Sequence, residues 1–198
     1  MLHTTIPGLP DRLGPRARRR RPNAVPAGPL GVLVREIVSA CDGPVEQMRN
    51  QVVAALGAAA ADPALVAIRQ CPAEIETYAR HALYGDPDGR FTILALVWGP
   101  GQFSPPHAHH AWCAYAVRHG TLAETLYAFD GDAAAARPQR IAERPSGYAC
   151  FAQAGLDQIH RLGNAGMETA MSIHVYGVAH ERIATHVNRL VEVAPAEG

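Results

Sequence analysis

The sequence predicts a mainly β protein, a jelly-roll barrel with an N-terminal helical cap, and three observations carry that expectation. After Gly85-Asp-Pro-Asp-Gly89 the chain breaks into short apolar runs separated by turn residues. Phe91–Trp98, Trp112–Arg118, Thr121–Phe129, Arg140–Ala142, Gly147–Ala152, Ile159–Leu162 and Thr169–Tyr176 all have strand length and fairly regular spacing, the pattern of an all-β sandwich or barrel. Before that loop the apolar residues fall at helical spacing instead. Size sets the third limit, because 198 residues with 48% hydrophobic content fill one domain with a substantial core but not two.

Taken in order, residues 1–28 are proline-rich, carry the cluster Arg16-Ala-Arg18-Arg-Arg-Arg21 and offer little to bury, so they read as a disordered tail before a single domain at 29–198. The twin-arginine export reading fails for want of an apolar segment. Within the domain, residues 29–84 are expected to be helical and about 90–178 to form the barrel. Leu30, Leu33, Val34, Ile37 and Val38 mark a first helix, and Gly43-Pro44 supplies a stop and a new start. Val45, Met48, Val52, Val53 and Leu56 mark a second, Pro63 opens a short third, and Glu74–His81 forms a last helical turn carrying Tyr78-Ala-Arg80. Ala133–Ala136 reads as an exposed loop, and a closing helix is expected over about His180–Val191.

Composition excludes several function classes. Net charge is zero, so no global field recruits nucleic acid or an anionic membrane. No apolar run approaches the roughly 18–20 residues needed to span a bilayer. All 18 basic residues are arginine, so an isolated arginine is weak evidence for guanidinium chemistry. Cys41, Cys71, Cys113 and Cys150 lack CxxC spacing and follow no secretory signal, which points to a reduced, cytoplasmic setting with Cys41, Cys71 and Cys150 as buried hydrophobes.

The segment Gly101–Gly120 concentrates the chemistry, with His107, His109 and His110 inside four positions. In a strand His107 and His109 share a face while His110 points away. Two imidazoles on one face are half of a metal site. The spacing resembles the first motif of the cupins, in which Gly101, His107, His109 and Gly120 match and Cys113 stands where a glutamate is usual. Gly147, Gly155, His160 and Asn164 resemble the second motif, with Gln153 in its proline slot and two extra residues before His160. The resemblance covers roughly residues 78–178 and implies a cupin barrel in which His107, His109 and His160 bind the metal. His160 by itself would also read as a core histidine.

Losing the carboxylate has a chemical consequence. Three neutral imidazoles leave the full charge on a divalent metal, so the site favours an anionic ligand from its substrate, and a thiolate supplies one. Tyr78-Ala-Arg80, Thr121-Leu-Ala-Glu-Thr-Leu126, Ile159-His-Arg161 and Ser172-Ile-His-Val-Tyr176 resemble, in this order, stretches of the type I cysteine dioxygenases. That resemblance implies Fe(2+) at the three histidines and Arg80, beside Tyr78, as a clamp for the substrate carboxylate. It further implies Ser172, His174 and Tyr176 as a hydrogen-bonded row near iron. In mammalian-type members a cysteine matched by Cys113 forms a thioether to the tyrosine matched by Tyr176, whereas many bacterial relatives have glycine there. A crosslinked and a free Cys113 both stay open. Trp98 and Trp112 are expected at the pocket wall.

The implied reaction is oxidation of L-cysteine with O2 to cysteine sulfinate by a monomer, with small molecules rather than nucleic acid or membrane as partners. Arg80 favours cysteine, whereas the Trp112 context favours 3-mercaptopropionate, and mercaptosuccinate is a third candidate. The alternatives from other classes are a non-catalytic, metal-binding cupin sensing module and a cupin isomerase using zinc or manganese.

Overall fold

The unbroken apolar run Phe91–Trp98 becomes a strand, β2 (Thr92–Trp98), buried at all seven residues, and its two buried faces explain the layout of the molecule. The computed structural model describes residues 25–67, 70–132 and 134–194. Helices α1 (Gly28–Asp42) and α2 (Val45–Ala61) and strand β1 (Ala79–Gly85) precede β2. After it come β3 (His107–His109), β4 (Cys113–His119), β5 (Thr121–Asp130), β6 (Ala135–Pro145), β7 (Ala149–Ala152), β8 (Gly155–Gly163), β9 (Ala170–Tyr176) and β10 (Asn188–Leu190). Antiparallel pairing gives one sheet in the order β1-β2-β9-β4-β7 and a second in the order β10-β3-β8-β5-β6. From β2 onward every connection except β5–β6 crosses between the sheets, which is the winding of a cupin jelly roll.

One face of β2 looks outward to the helices. Ile93, Ala95 and Val97 join Ala114, Ala116, Ile173 and Val175 of the neighbouring strands in a cluster with Leu33, Val34 and Ile37 of α1 and Val52 and Leu56 of α2. The helices therefore cap the outer face of the first sheet, and Pro44, which cannot continue α1, caps the start of α2. The other face looks into the barrel, where Leu94, Leu96 and Trp98 meet Cys113, Tyr115, Val117, Leu122 and Leu162. Gly120 joins β4 to β5 at φ +74°, and a Cβ there would come within 3.0 Å of Ala170, so both the turn and the packing favour glycine.

Four local expectations are corrected. Pro63-Ala64 forms a turn and not a third helix. Tyr78-Ala-Arg80 is not helical, because the edge of β2 captures Ala79 and Arg80 as the start of β1, with Arg80 opposite Leu96 and Tyr78 just before the strand. The C-terminal stretch makes only a 3-10 turn at His180–Arg182 before β10 extends to pair with β3, while Ile183 and Val187 still bury into the barrel. Ala135 and Ala136 are buried at the start of β6. In each strand case the deciding partner is remote in sequence, so local periodicity carries no trace of it. The Arg16–Arg21 cluster lies outside the described residues. Among those residues, no helix is long and apolar enough to cross a membrane.

Candidate metal centre

β3 and β8 bring the three histidines together. His107 lies directly opposite His160, and the register then slips, so that two steps of β3 span five of β8 before His109 meets Gly155. The slip accommodates the extra residues before His160. One ligand atom from each of His107, His109 and His160 lies within 4.8 Å of the others, and all three side chains are buried. His107 donates Nδ1–H to the Pro105 carbonyl at 2.8 Å, and His160 donates Nδ1–H to Glu124 Oε1 at 2.6 Å. Both bonds fix a tautomer that leaves Nε2 bare as a lone-pair donor. Nδ1 of His109 is buried with no hydrogen-bond partner among the described residues.

The electrostatics suit a metal. Burial pushes His107 down to about 3 and His109 down to about 2 from an ordinary 6.5, so both rings are neutral ligands at neutral pH. No carboxylate belongs to the group. Cys113, at the usual glutamate position, is fully desolvated, and burial holds its thiol well above the ordinary range. These donors fit a divalent metal with sites left open on one side.

β9 supplies a second polar row. Ser172, His174 and Tyr176 all face the barrel, opposite Leu96, Leu94 and Thr92 of β2 and Val117, Tyr115 and Cys113 of β4. The indole of Trp98 donates Nε1–H to Ser172 Oγ at 2.9 Å. Ser172 Oγ lies 2.8 Å from His174 Nε2, and His174 Nδ1 lies 3.1 Å from the Tyr176 hydroxyl. An indole only donates, so Ser172 Oγ accepts from Trp98, and its contact with His174 Nε2 joins the two side chains in one hydrogen-bonded row. Burial pushes His174 down to about 3, so the ring is neutral and carries one proton, on Nδ1 towards Tyr176 or on Nε2 towards Ser172. Burial holds the Tyr176 hydroxyl protonated, and the tautomer with a proton on His174 Nδ1 leaves its O–H free for the cavity.

Tyr78, Cys113, His174 and Tyr176 line one tight cavity of about 20 Å³ with the three histidines, and Trp98 closes it by stacking on Tyr78 at 4.3 Å between centroids. Ser172 stands one hydrogen bond behind, and His110 is exposed. Arg80 does not line the cavity itself. It sits half-buried beside Tyr78 and Tyr176, on the barrel face that it shares with Leu96. Among the described residues its guanidinium has no ion pair or hydrogen bond. Trp112 is a correction, since it stacks on Phe151 at 5.5 Å and packs against the helix-side core, away from this cavity. No disulfide joins any of the four cysteines; Cys41 is only half-buried, and Cys150 faces the barrel.

Sequence reasoning assigned no role to Glu124 or Arg144. Glu124 is 4% exposed and binds His160 through one oxygen and Arg144 Nε, at 2.7 Å, through the other. Burial pushes its carboxyl up, but the hydrogen bonds from His160 and Arg144 outweigh that and hold it below the ordinary range. The signal was present in Leu122-Ala-Glu124-Thr-Leu126, where alternation sets a carboxylate between two leucines on the inward face.

A pH dependence follows. His107, His109 and His174 are all lowered on folding, so below 6.5 the unfolded chain binds protons that the native fold excludes. The stability of the metal-free protein is therefore complete above 6.5 and lost as the pH falls towards 3. Thermal unfolding of metal-free protein should show Tm dropping steadily from about pH 7 to about pH 4. A flat profile across that window would contradict neutral burial of these rings.

The profile of the cysteine dioxygenase type I family matches residues 28–189 of the chain. Among solved structures, the chain is similar to a protein with a double-stranded β-helix domain from Klebsiella pneumoniae, at 15% identity and TM-score 0.48 over 66% of this chain and 93% of that one. It is also similar to a Thermus thermophilus protein at 18% identity and TM-score 0.45, over 57% of this chain and 95% of that one. A cupin superfamily protein from Desulfitobacterium hafniense gives 14% identity and TM-score 0.41, over 54% and 83%.

Proposed function

Because the chain belongs to the cysteine dioxygenase type I family, we propose that it is an iron(II)-dependent thiol dioxygenase converting L-cysteine and O2 to cysteine sulfinate. The observation that carries this reading is a buried three-histidine group with no carboxylate in it. Iron(II) held there would bring the substrate thiolate and O2 into contact, with both oxygen atoms ending on sulfur and sulfur supplying all the electrons. Neutral imidazoles leave the metal charge uncompensated, so an anionic sulfur ligand is favoured.

The remaining work belongs to the chain. Arg80 has an uncommitted guanidinium, and its planar fork suits a carboxylate through two charge-assisted hydrogen bonds. Tyr78, stacked on Trp98, would help hold the substrate against that clamp. The row from Trp98 through Ser172 and His174 holds Tyr176 in place, and with a proton on His174 Nδ1 the Tyr176 O–H donates to an oxygen or sulfur atom in the cavity. Cys113 lies directly across β4–β9 from Tyr176 and forms the wall that confines this hydroxyl. All three thiols carry a carboxylate for this clamp; with Trp112 away from the cavity, what supports L-cysteine over 3-mercaptopropionate is that relatives preferring the latter have glutamine where this chain has Arg80, and mercaptosuccinate stays a candidate.

The test is O2 uptake by anaerobically prepared, iron(II)-loaded protein offered the three thiols in parallel, with products identified by mass. Cysteine should be preferred and yield the sulfinate. If iron stayed bound and none of the thiols drew O2, the dioxygenase reading would fall and a metal-binding sensing module would replace it. Arg80→Gln should raise KM for cysteine roughly 10- to 100-fold, the equivalent of about 1.5–3 kcal/mol for a charged hydrogen bond, with iron content unchanged. Unaltered cysteine kinetics in that variant would remove Arg80 from the site.

A further inference from the structure

A second and much larger cavity, about 360 Å³, reaches the same centre from the side. It shares His109, Cys113 and His160 with the tight cavity, so the two meet at the histidines. β6 and β7 each end their sheet, and no ladder joins them. The cavity occupies that gap, with α2 contributing Arg49 to its lining.

Its polar inventory is one-sided. Arg49, Arg140 and Arg144 all line it, and among the described residues Arg49 and Arg140 have no ion pair. Arg144 spends Nε on Glu124 and lies over the Tyr148 ring at 4.3 Å, yet its two terminal amino groups have no hydrogen-bond partner among the described residues. Tyr115, only 2% exposed, also lines the cavity, and among the described residues its hydroxyl makes no well-formed hydrogen bond, meeting the Cys150 thiol, a weak partner, across the β4–β7 ladder. Burial keeps the Tyr115 and Tyr148 hydroxyls protonated, the latter pushed up to about 12, so both are donors at neutral pH. Against these stand two carboxylates. Glu124 is consumed by His160 and Arg144, and Asp157 is exposed. Arginine is the chain's only strong base, so one arginine here would mean little. Arg49 and Arg140 are exposed and solvated, yet with the half-buried Arg144 and the buried Tyr115 they make the cavity rich in donors and positive charge, which suits an acceptor-rich anion.

We propose that this lateral cavity binds a compact organic oxyanion, a carboxylate or sulfinate, between Arg49, Arg140, Arg144 and the Tyr115 hydroxyl, at a site separate from Arg80. Two sources share that chemistry. One is a free small acid anion entering through the gap. The other is the second carboxylate of a dicarboxylic thiol whose sulfur sits at the three histidines, and this source rests on the dioxygenase reading.

Equilibrium dialysis of the metal-free full chain against succinate and against methanesulfinate tests the site without any turnover. Saturable binding is expected, weakened at least ~10-fold in the double variant Arg49→Gln/Arg140→Gln and in Tyr115→Phe, and unchanged in Arg80→Gln. Melting temperatures confirm that the variants are folded, and the two substitution sets are independent of each other. Absence of saturable binding by the wild type, or binding lost in Arg80→Gln but kept in the other variants, would overturn the proposal. Steady-state kinetics of the iron-loaded double variant then separate the sources. A KM raised for mercaptosuccinate and not for cysteine assigns the site to the substrate's own second carboxylate, whereas unchanged KM values with weakened dialysis binding assign it to a free anion. If no thiol is turned over, dialysis alone still decides whether the anion site exists.

Discussion

His107→Ala should leave a folded protein that neither retains iron nor consumes O2. His107 sits opposite His160 on the paired strands β3 and β8, and its Nδ1–H bond to Pro105 aims Nε2 at the other two rings. Removing it leaves two imidazoles and no carboxylate, a donor set below the three protein ligands of an open catalytic site. Iron content should fall from near stoichiometric to background, and kcat/KM by at least ~10³-fold, equivalent to about 4 kcal/mol of transition-state stabilisation. The fold should survive for an electrostatic reason. His107 is lowered to about 3 by burial, so it opposes folding at mildly acidic pH, and the metal-free variant should lose less stability than wild type as the pH falls below 6.5. Metal analysis, an O2 electrode and thermal unfolding measure the three quantities. Wild-type iron content in this variant would show that the metal, if any, is bound elsewhere.

Glu124→Ala should be the most destabilising single change near the centre. Glu124 is the anion between two cationic or donor groups, and Arg144, with a side chain 14% exposed, has no other carboxylate partner among the described residues. Deleting one member of such a buried set costs about 3–5 kcal/mol, because the remaining charge stays desolvated and unpaired. For a protein of this size that corresponds to a drop in Tm of roughly 6–20 °C. The same change frees His160 Nδ1, so the ring loses both its orientation and the polarisation that strengthens Nε2 as a ligand. Iron affinity should weaken about 10- to 100-fold. Glu124→Gln, which keeps the shape and an acceptor for His160, should recover much of the iron affinity and less of the stability. The sign of the pH effect is fixed by the lowered carboxyl: the wild-type advantage is complete above the ordinary 4.5 and disappears as Glu124 protonates at lower pH. Equal Tm and equal iron affinity in Glu124→Ala and wild type would rule out this role.

Local pattern was enough for much of the architecture and most of the centre. Alternation by two places Ser172, His174 and Tyr176 on one face, and the same rule pairs His107 with His109 while sending His110 to solvent, because a strand's geometry dictates where consecutive side chains point. The uninterrupted run Phe91–Trp98 encodes a strand buried on both sides, and the spacing of Leu33, Ile37, Val52 and Leu56 encodes the cap that buries one of them. What the tertiary structure alone decided is which remote segments meet. Tyr78-Ala-Arg80 has a pattern compatible with a helical turn, and only the free edge of β2 draws Ala79 and Arg80 into a strand that turns Arg80 towards the barrel. Asn188–Leu190 extends because β3 offers an open edge, and Trp112, adjacent in sequence to Cys113, faces the helices while Cys113 faces the histidines. Glu124 and His160 stand 36 positions apart, and the hydrogen bond that fixes the histidine's tautomer exists only once β5 and β8 pair. Side-chain direction is a property of a few neighbouring backbone angles and can be read locally. Pairing is a competition among all available edges and partners, and it is resolved only when the whole barrel closes.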